Sequence, residues 1–244
     1  MVSLINLIGK ILNPFKIYLK SQPTISGVDS ELVNEKNKNI FTNIYKNKQW
    51  GGSDDLKFYS GSGSHQSEIV NSYTTAVKNY FSNLNHLTAV DLGCGDFNIG
   101  SKIYYLFSSY TACDIVDDLI SFNKSKFPNK NLHFKCLDAV EDELPSGNVV
   151  FIRQVLQHLS NTDIKKVVRK IEKKYDYAVI TEHLPSDNFI PNLDKPSGPN
   201  IRLIFESGVV LNEAPFNIRH SASTCICEIN EYGGIIRTTV YKIN

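Results

Sequence analysis

Strand-like and helix-like stretches alternate through the middle of the chain. Short apolar runs predict strands at 86–92, 109–115, 131–138, 148–154 and 175–183. Apolar residues at helical spacing predict helices at 69–84, 98–107, 117–126 and 163–174. Two further apolar stretches, 224–231 and 234–243, flank Tyr232-Gly233-Gly234 and predict a closing hairpin. This order indicates an α/β fold whose sheet is mostly parallel with an antiparallel edge.

The clearest helix signal lies at 163–174. Its apolar stripe is built by Ile164, Val167, Val168 and Ile171. Ser160 and Asp163 form a start that resembles a capping box. For the helix around Tyr73, Ser64 is the expected cap.

The first twenty residues mix apolar residues with lysines, and Pro14 ends or kinks their helical pattern. We interpret 1–39 as an N-terminal amphipathic arm and linker, and 40–244 as the main domain. Two interpretations of the arm remain open. It packs on the domain as a cap, or residues 1–20 make a peripheral contact with a membrane or partner surface.

A glycine-rich stretch precedes the helix around Tyr73. The sequence WGGSDDLKFYSGSGSH spans Trp50 to His65, and its four glycines predict a loop rather than a regular element. Trp50, Phe58 and Tyr59 are unusual in a flexible linker, because linkers rarely carry several aromatic side chains. We therefore expect this loop to pack on the domain.

Composition narrows the classes of function. The 244 residues carry 26 Lys and Arg against 25 Asp and Glu, a net charge of +1, which does not favour a nucleic-acid partner. No apolar run reaches the roughly 20 residues needed to span a bilayer. The five cysteines contain no CxxC pair, so we expect reduced thiols in a cytoplasmic protein and no metal site. Cys225 and Cys227 are expected on one face of a strand.

The end of the first predicted strand carries candidate chemistry, since parallel sheets bind ligands at this edge. Gly93 and Gly95 are expected to let the backbone approach a ligand closely. A dinucleotide fingerprint would have a third glycine at position 98, which is Asn98. Asp91 and Asp96 flank the turn and would repel a pyrophosphate. An acidic turn favours S-adenosylmethionine (SAM), which has a sulfonium and an ammonium group and no phosphate.

Two more carboxylates end the next strands. Asp114 lies 23 residues after Asp91, where an acidic side chain can accept hydrogen bonds from both ribose hydroxyls. Asp138 ends the third strand, where its carboxylate can receive an adenine amino group. Three acidic residues at the ends of three successive strands predict a SAM site.

VDLGCGDFNIG, ACDIVDDLI, LDAV and FIRQVLQHLSNTDI stand in the order of the class I SAM-dependent methyltransferase motifs, and the chain resembles that family over residues 87–182. The resemblance implies a Rossmann-like, seven-stranded, mostly parallel sheet with an antiparallel C-terminal hairpin strand and helices on both faces. The stretches WGG, SGSGS, RQVLQHLSN and APFNI resemble bacterial capsule and surface-polysaccharide methyltransferases, including phosphoramidate O-methyltransferases.

The resemblance also implies roles for single residues. It assigns the cofactor-binding residues as Asp91, Gly93, Cys94, Gly95, Asp114, Ile115, Asp138, Ala139, Gln154, Ser60, Gly61, Ser62, Gly63 and Trp50. Gln154 would lie beside the sulfonium, and the Ser60–Ser64 loop would fold over the cofactor. Trp50 and Tyr45 would wall the acceptor site.

An amine or hydroxyl acceptor must lose a proton, which requires a base. His158 and His183 follow predicted strands at the same rim and are the candidate catalytic residues, with Tyr45. Structural roles for both histidines remain alternatives. In the long proline-rich loop, Asp194, Lys195 and Arg202 are candidate substrate contacts, with the two cations facing a phosphate. The alternative is that they are surface charges.

These observations predict an enzyme that transfers a methyl group from SAM, leaving S-adenosylhomocysteine (SAH). The acceptor is an oxygen of a small or nucleotide-linked molecule in surface-polysaccharide synthesis. One alternative is a methyltransferase of a lipid or another small metabolite. A non-catalytic SAM-binding partner subunit is an alternative of another class. The oligomeric state is left open.

Overall fold

Seven strands form one sheet in the computed structural model, which describes residues 37–53 and 55–243. The strands are β1 Thr88–Leu92, β2 Ser109–Asp114, β3 Leu132–Cys136, β4 Val149–Arg153, β5 Tyr177–Pro185, β6 Ala222–Glu231 and β7 Gly234–Lys242. Their order is β3-β2-β1-β4-β5-β7-β6. Strands β1 to β5 pair in parallel, and β7 runs antiparallel to both of its neighbours. The predicted fold class is confirmed.

Within the described ranges, four α-helices accompany the sheet: α1 Asn37–Lys46, α2 Ser67–Phe81, α3 Asp117–Lys126 and α4 Asn161–Lys174. Helix α4 begins as predicted, since Ser160 Oγ accepts a hydrogen bond from Asp163 N. Its apolar stripe is buried on one face of the sheet with Val150 and Ile152. Tyr73 of α2 packs with Phe151 on the opposite face. Helices therefore cover both faces of the sheet.

Two predictions for helices are wrong. Ser64 does not cap α2, because the helix begins after Gln66 and has no side-chain cap. The stretch 98–107 is not an α-helix but two short 3-10 turns, Gly100–Lys102 and Tyr104–Leu106. The reason lies at Phe97, which adopts a left-handed backbone with φ 62° and is fully buried. That conformation stops a helix from continuing out of the preceding turn.

The terminal hairpin departs from its predicted pattern at one point. A bulge in β6 pairs Cys225 with Thr239 and Cys227 with Thr238. Adjacent residues of β7 point to opposite faces, so the two cysteines do not share a face as expected. All five cysteines are free thiols.

No helix in the ranges 37–53 and 55–243 is long and apolar enough to cross a membrane. The arm prediction for 1–39, including the membrane or partner contact of residues 1–20, falls almost entirely outside the described residues.

Candidate functional site

The turn after β1 is tied to the neighbouring strand β2. The amides of Gly93 and Cys94 both donate to Cys113 O, at 2.8 and 2.9 Å. Gly95 N donates to Asp114 Oδ2 at 3.1 Å. Gly93 and Gly95 have φ values of 77° and 56°, a region that favours glycine. The backbone of this turn is therefore held in place by β2.

The space beside both glycines is occupied by the protein itself. A Cβ on Gly93 would collide with the Val155 side chain, and one on Gly95 would collide with Ser60 Oγ. The expectation that the glycines admit a ligand at these points is therefore corrected. Without a Cβ, Gly93 and Gly95 instead allow the side chains of Val155 and Ser60 to pack against the turn.

Asp114 is buried with only part of its hydrogen-bonding capacity used. Oδ2 accepts from Gly95 N, and Oδ1 accepts from Val116 N at 3.1 Å. An ionised carboxylate offers about four acceptor positions, so about two remain. Burial raises the pKa of Asp114 to about 6, although the backbone amides of Val116, Gly95 and Ile115 favour the ionised form. The carboxylate therefore gains from any ligand that brings donors or positive charge.

Asp91 is in a similar state one strand away. It is 8% exposed, and Tyr110 OH donates to Oδ2 at 3.0 Å. Burial raises its pKa to about 7, which the Tyr110 hydrogen bond opposes. Asp91 and Asp114 thus lie near the balance between protonated and ionised forms at neutral pH.

Asp138 lies two residues after the end of β3, and not at its last position as predicted. Its Oδ1 accepts from Val140 N at 2.8 Å, and burial raises its pKa. The next residue, Ala139, is partly buried, and its carbonyl accepts from Lys170 Nζ. Ile115 packs beside Trp50.

The Ser60–Ser64 loop packs on the turn after β1, and its predicted place over the cofactor stays a prediction. We call residues 59–65 the strap. Ser60 N donates to Asp96 Oδ2 at 3.0 Å, and Asp96 N donates to Ser60 Oγ at 2.8 Å. His65 Nε2 lies 2.6 Å from the same Asp96 oxygen, and Asn98 Nδ2 donates to Ser64 O at 2.7 Å. Asp96 therefore fastens the strap to the turn. Sequence reasoning missed the roles of His65 and Asn98.

The far end of the strap contacts the end of β4. Arg153 donates to Gly63 O at 2.6 Å and to Ser64 Oγ at 3.2 Å. It also donates to Gln154 Oε1 at 2.8 Å. A Cβ on Gly63 would lie 2.7 Å from that same oxygen, whereas Gly61, with φ 86°, has open space beside it. Arg153 was not among the predicted site residues, although its buried guanidinium joins the strap to Gln154.

The middle of the strap is a 3-10 turn. Ser62 begins this turn, and its carbonyl accepts from His65 N at 2.9 Å.

An aromatic cluster adjoins the strap. Tyr45 OH lies 3.0 Å from Ser60 Oγ, and the Tyr45 ring is 5.1 Å from Trp50. Trp50 in turn is 5.1 Å from the His158 ring, and Phe41 is 6.4 Å from it. Burial raises the pKa of Tyr45 well above its ordinary value, so its hydroxyl stays protonated. Tyr45 is therefore a hydrogen-bonding residue, and its predicted place in the wall of the acceptor site stays a prediction.

His158 is buried and neutral. Its Nδ1 lies 3.2 Å from Gly198 O, and a carbonyl only accepts, so Nδ1 carries the proton. Nε2 therefore carries the lone pair, and the Gln157 amide nitrogen lies 3.4 Å from it. Burial and the nearby Lys195 cation lower its pKa to about 3.

His183 lies elsewhere. Its Nε2 donates to Glu231 O at 2.8 Å, beside the terminal hairpin, and burial lowers its pKa. The two histidines contact different segments of the chain, and the catalytic role of His183 stays a prediction.

The substrate contacts predicted in the long loop are also wrong. Arg202 is fully buried and donates to Leu156, Gln157, Leu159 and Leu193 carbonyls and to Asn161 Oδ1. Lys195 Nζ donates to His158 O and Pro196 O. Asp194 Oδ1 accepts from Asn161 N and Lys195 N. These side chains hold the loop on the 156–161 turn, and their groups are already engaged.

Glu182 was missed by sequence reasoning. It is 3% exposed, and among the described residues neither carboxylate oxygen has a hydrogen-bond partner. Burial raises its pKa to about 8, against the attraction of Arg202. The sequence around Glu182 does not indicate whether its side chain is buried or exposed.

Within the described residues no cluster of three or more His, Cys, Asp or Glu could hold a metal.

One family model matches the middle of the chain. Residues 90–174 match the family model of a methyltransferase domain, from β1 through α4. A comparison with curated protein sequences finds no match.

Solved structures show the same fold at low identity. The N-methyltransferase NodS from Bradyrhizobium japonicum WM9, in complex with SAH, is 10% identical with a TM-score of 0.60, covering 83% of this chain and 100% of that one. The magnesium protoporphyrin IX methyltransferase ChlM from Synechocystis PCC 6803, with bound SAM, is 13% identical with a TM-score of 0.54, covering 88% and 100%. The N-terminal domain of EvdMO1, solved in the presence of SAH and D-fucose, is 10% identical with a TM-score of 0.55, covering 86% and 98%.

Proposed function

We propose that this chain, which carries a SAM-dependent methyltransferase domain, transfers the methyl group of SAM to an oxygen of a small or nucleotide-linked acceptor. The observation that carries the cofactor assignment is the pair of buried carboxylates, Asp91 and Asp114, beside the turn after β1. The acceptor class rests on the resemblance to surface-polysaccharide methyltransferases, including those that modify a phosphoramidate. We place the reaction in the cytoplasm of a bacterium.

The chemistry of the three carboxylates suits SAM better than a dinucleotide. Asp91, Asp114 and Asp138 are acceptors at the ends of β1, β2 and β3, and all three have pKa values raised by burial. Such groups gain from hydroxyl, amino and ammonium donors, and they repel phosphate. Asp114 would hold the ribose, Asp138 the adenine edge and Asp91 the methionine end.

SAM supplies an electrophilic methyl group for an in-line displacement, so the protein's main task is to position the acceptor. The strap and the glycine turn, joined through Asp96, form a rigid wall for the pocket. Trp50 and Phe41 pack over His158 and limit the access of water.

Proton removal does not require a strong base in this account. When a neutral hydroxyl oxygen gains a methyl group, its proton becomes strongly acidic, and even a weak base can accept it. His158 is neutral, and its Nε2 lone pair faces the Gln157 amide nitrogen across a long contact of 3.4 Å. This lone pair can take the proton despite the lowered pKa of His158.

The test is transfer of labelled methyl from SAM to a panel of acceptors: nucleotide-linked phosphoramidates, sugar nucleotides, lipids and bulk tRNA. The proposal predicts labelled product with one of the first two classes. Product with lipids alone would overturn the acceptor and support a lipid methyltransferase. SAM binding without transfer to any of the panel would contradict the acceptor proposal and favour a partner subunit.

A further inference from the structure

Two residues in contact with His158, Trp50 and Gln157, each carry an unpaired polar atom. Trp50 Nε1 is a donor and Gln157 Oε1 is an acceptor, and both are buried. Neither has a hydrogen-bond partner among the described residues. Buried polar atoms in folded proteins nearly always have a partner, and an unpaired one costs about 1–3 kcal/mol. An unpaired donor and an unpaired acceptor beside one side chain call for a ligand that can satisfy both.

The orientation of the Gln157 amide follows from its neighbours. Its Nε2 lies 3.4 Å from Gln154 O and 3.4 Å from His158 Nε2. Both of these atoms can only accept, because the His158 proton is on Nδ1. The amide nitrogen must therefore face them, and Oε1 points away with its lone pairs free.

The position of this pair relates it to methyl transfer. Gln157 reaches back to the carbonyl of Gln154, the residue proposed to lie beside the sulfonium. Trp50 is held at a 5.1 Å ring distance from His158 and by a second 5.1 Å contact with Tyr45. The residues that carry the free donor and the free acceptor are thus both in contact with the proposed proton acceptor.

We propose that Trp50 Nε1 and Gln157 Oε1 form a subsite for the acceptor's hydroxyl group. The indole N–H donates to the hydroxyl oxygen, and Gln157 Oε1 accepts the proton of a hydroxyl on the same molecule. A hydroxyl both donates and accepts, whereas an ether only accepts and a thiol does both weakly. The subsite therefore selects oxygen acceptors that carry free hydroxyls, such as sugars. This inference rests on the proposed methyltransferase function.

Trp50 is the only tryptophan of the chain, so its fluorescence reports on this subsite alone. The experiment titrates the full-length protein, saturated with SAH, with methyl α-D-glucopyranoside. The matched probe is the same glucoside with all hydroxyls methylated, which has acceptors but no donors. We expect the free glucoside to change Trp50 emission and the methylated one to bind about tenfold more weakly.

Variants separate the subsite from general effects. Gln157→Leu should weaken glucoside binding about tenfold, whereas Gln157→Glu keeps an acceptor oxygen and should retain binding. Gln49→Leu, at an exposed neighbour of Trp50, should leave binding unchanged. Equal affinity for the two glucosides would overturn the subsite, and so would unchanged glucoside affinity in a folded Gln157→Leu protein. In either case, retained binding of SAH would leave the proposed function standing. Failure of SAH itself to bind would overturn the proposed function, and the subsite with it.

Discussion

Two groups of charged residues lie near the carboxyl edge of the sheet, and they use their hydrogen-bonding capacity differently. Asp114 gives two acceptor positions to backbone amides and keeps about two free. Arg202 donates to four carbonyls and one amide oxygen, all within the protein. Both residues are buried, and both come from segments that sequence reasoning placed in the site.

The difference separates a binding group from a structural one. A buried charge whose partners all belong to the protein stabilises a loop, as Arg202 and Lys195 do for the 193–202 segment. A buried charge with unused capacity is destabilised until a ligand arrives, as Asp91 and Asp114 are. Each of the following predictions tests one side of this comparison.

Arg202→Met should have the largest effect, on stability. It leaves four buried carbonyls and an amide oxygen without their donor, so we expect a loss of about 3–5 kcal/mol. For a chain of this size that lowers Tm by about 10 °C, measurable by thermal unfolding. Arg219→Met is the control, since Arg219 is exposed and paired at the surface, and it should cost under about 1 kcal/mol. Equal Tm values for the two variants would contradict the structural role of Arg202.

Gly95→Ala should displace the strap. The new Cβ would collide with Ser60 Oγ, and the left-handed backbone adds strain of about 1–2 kcal/mol. Gly233→Ala has a similar φ of 72° but nothing near its Cβ, so it measures the strain alone. We expect Gly95→Ala to lose more stability in urea unfolding and also to weaken SAM binding, while Gly233→Ala leaves binding intact. Identical effects would mean that the strap does not lie on the turn.

Asp114→Asn should weaken SAM binding at least tenfold, about 1.4 kcal/mol, because a charge-assisted acceptor is replaced by a neutral one. Isothermal titration calorimetry measures this directly. Asp117→Asn, an exposed neighbour on α3, should bind SAM like the wild type. If Asp114→Asn binds equally well, Asp114 has no part in the cofactor site.

A rise in pH should lower the stability of the ligand-free protein and raise its affinity for SAM. Asp114 and Asp91 have folded pKa values of about 6 and 7, above the ordinary value, so the ligand-free fold favours their protonated forms. Their contribution to stability is present below about pH 4 and is lost as the pH rises through 6 and 7. SAM binding needs the ionised forms, so its affinity should rise up to about tenfold per pH unit over the same window. A flat affinity between pH 5.5 and 8 would contradict this prediction.

The sequence allowed the order of strands and helices to be predicted because apolar periodicity is a local signal. The same local signal locates the ends of β1, β2 and β3. Asp91, Asp114 and Asp138 could therefore be predicted to lie at one edge of the sheet. The failed helix at 98–107 shows the limit, since the left-handed Phe97 follows from tertiary packing of its ring.

The roles of single charges were less predictable. Nothing local distinguishes Arg202, whose partners lie 9 to 46 residues away, from an arginine that faces a substrate. Arg153 and Glu182 were missed because their importance comes from burial and from neighbours on other elements. The sequence pointed to Gly93 and Gly95, but only the structure shows which side chains fill the space beside them.

The central claim is that the unused carboxylates after β1 and β2 bind SAM. Calorimetric titration of the full-length protein with SAM, SAH and NAD⁺ at pH 8 tests it most directly. The account predicts binding of SAM and SAH and no binding of NAD⁺, because Asp91 and Asp96, which flank the turn, repel a pyrophosphate. Binding of NAD⁺ as tight as that of SAM, or no binding of SAM, would contradict it.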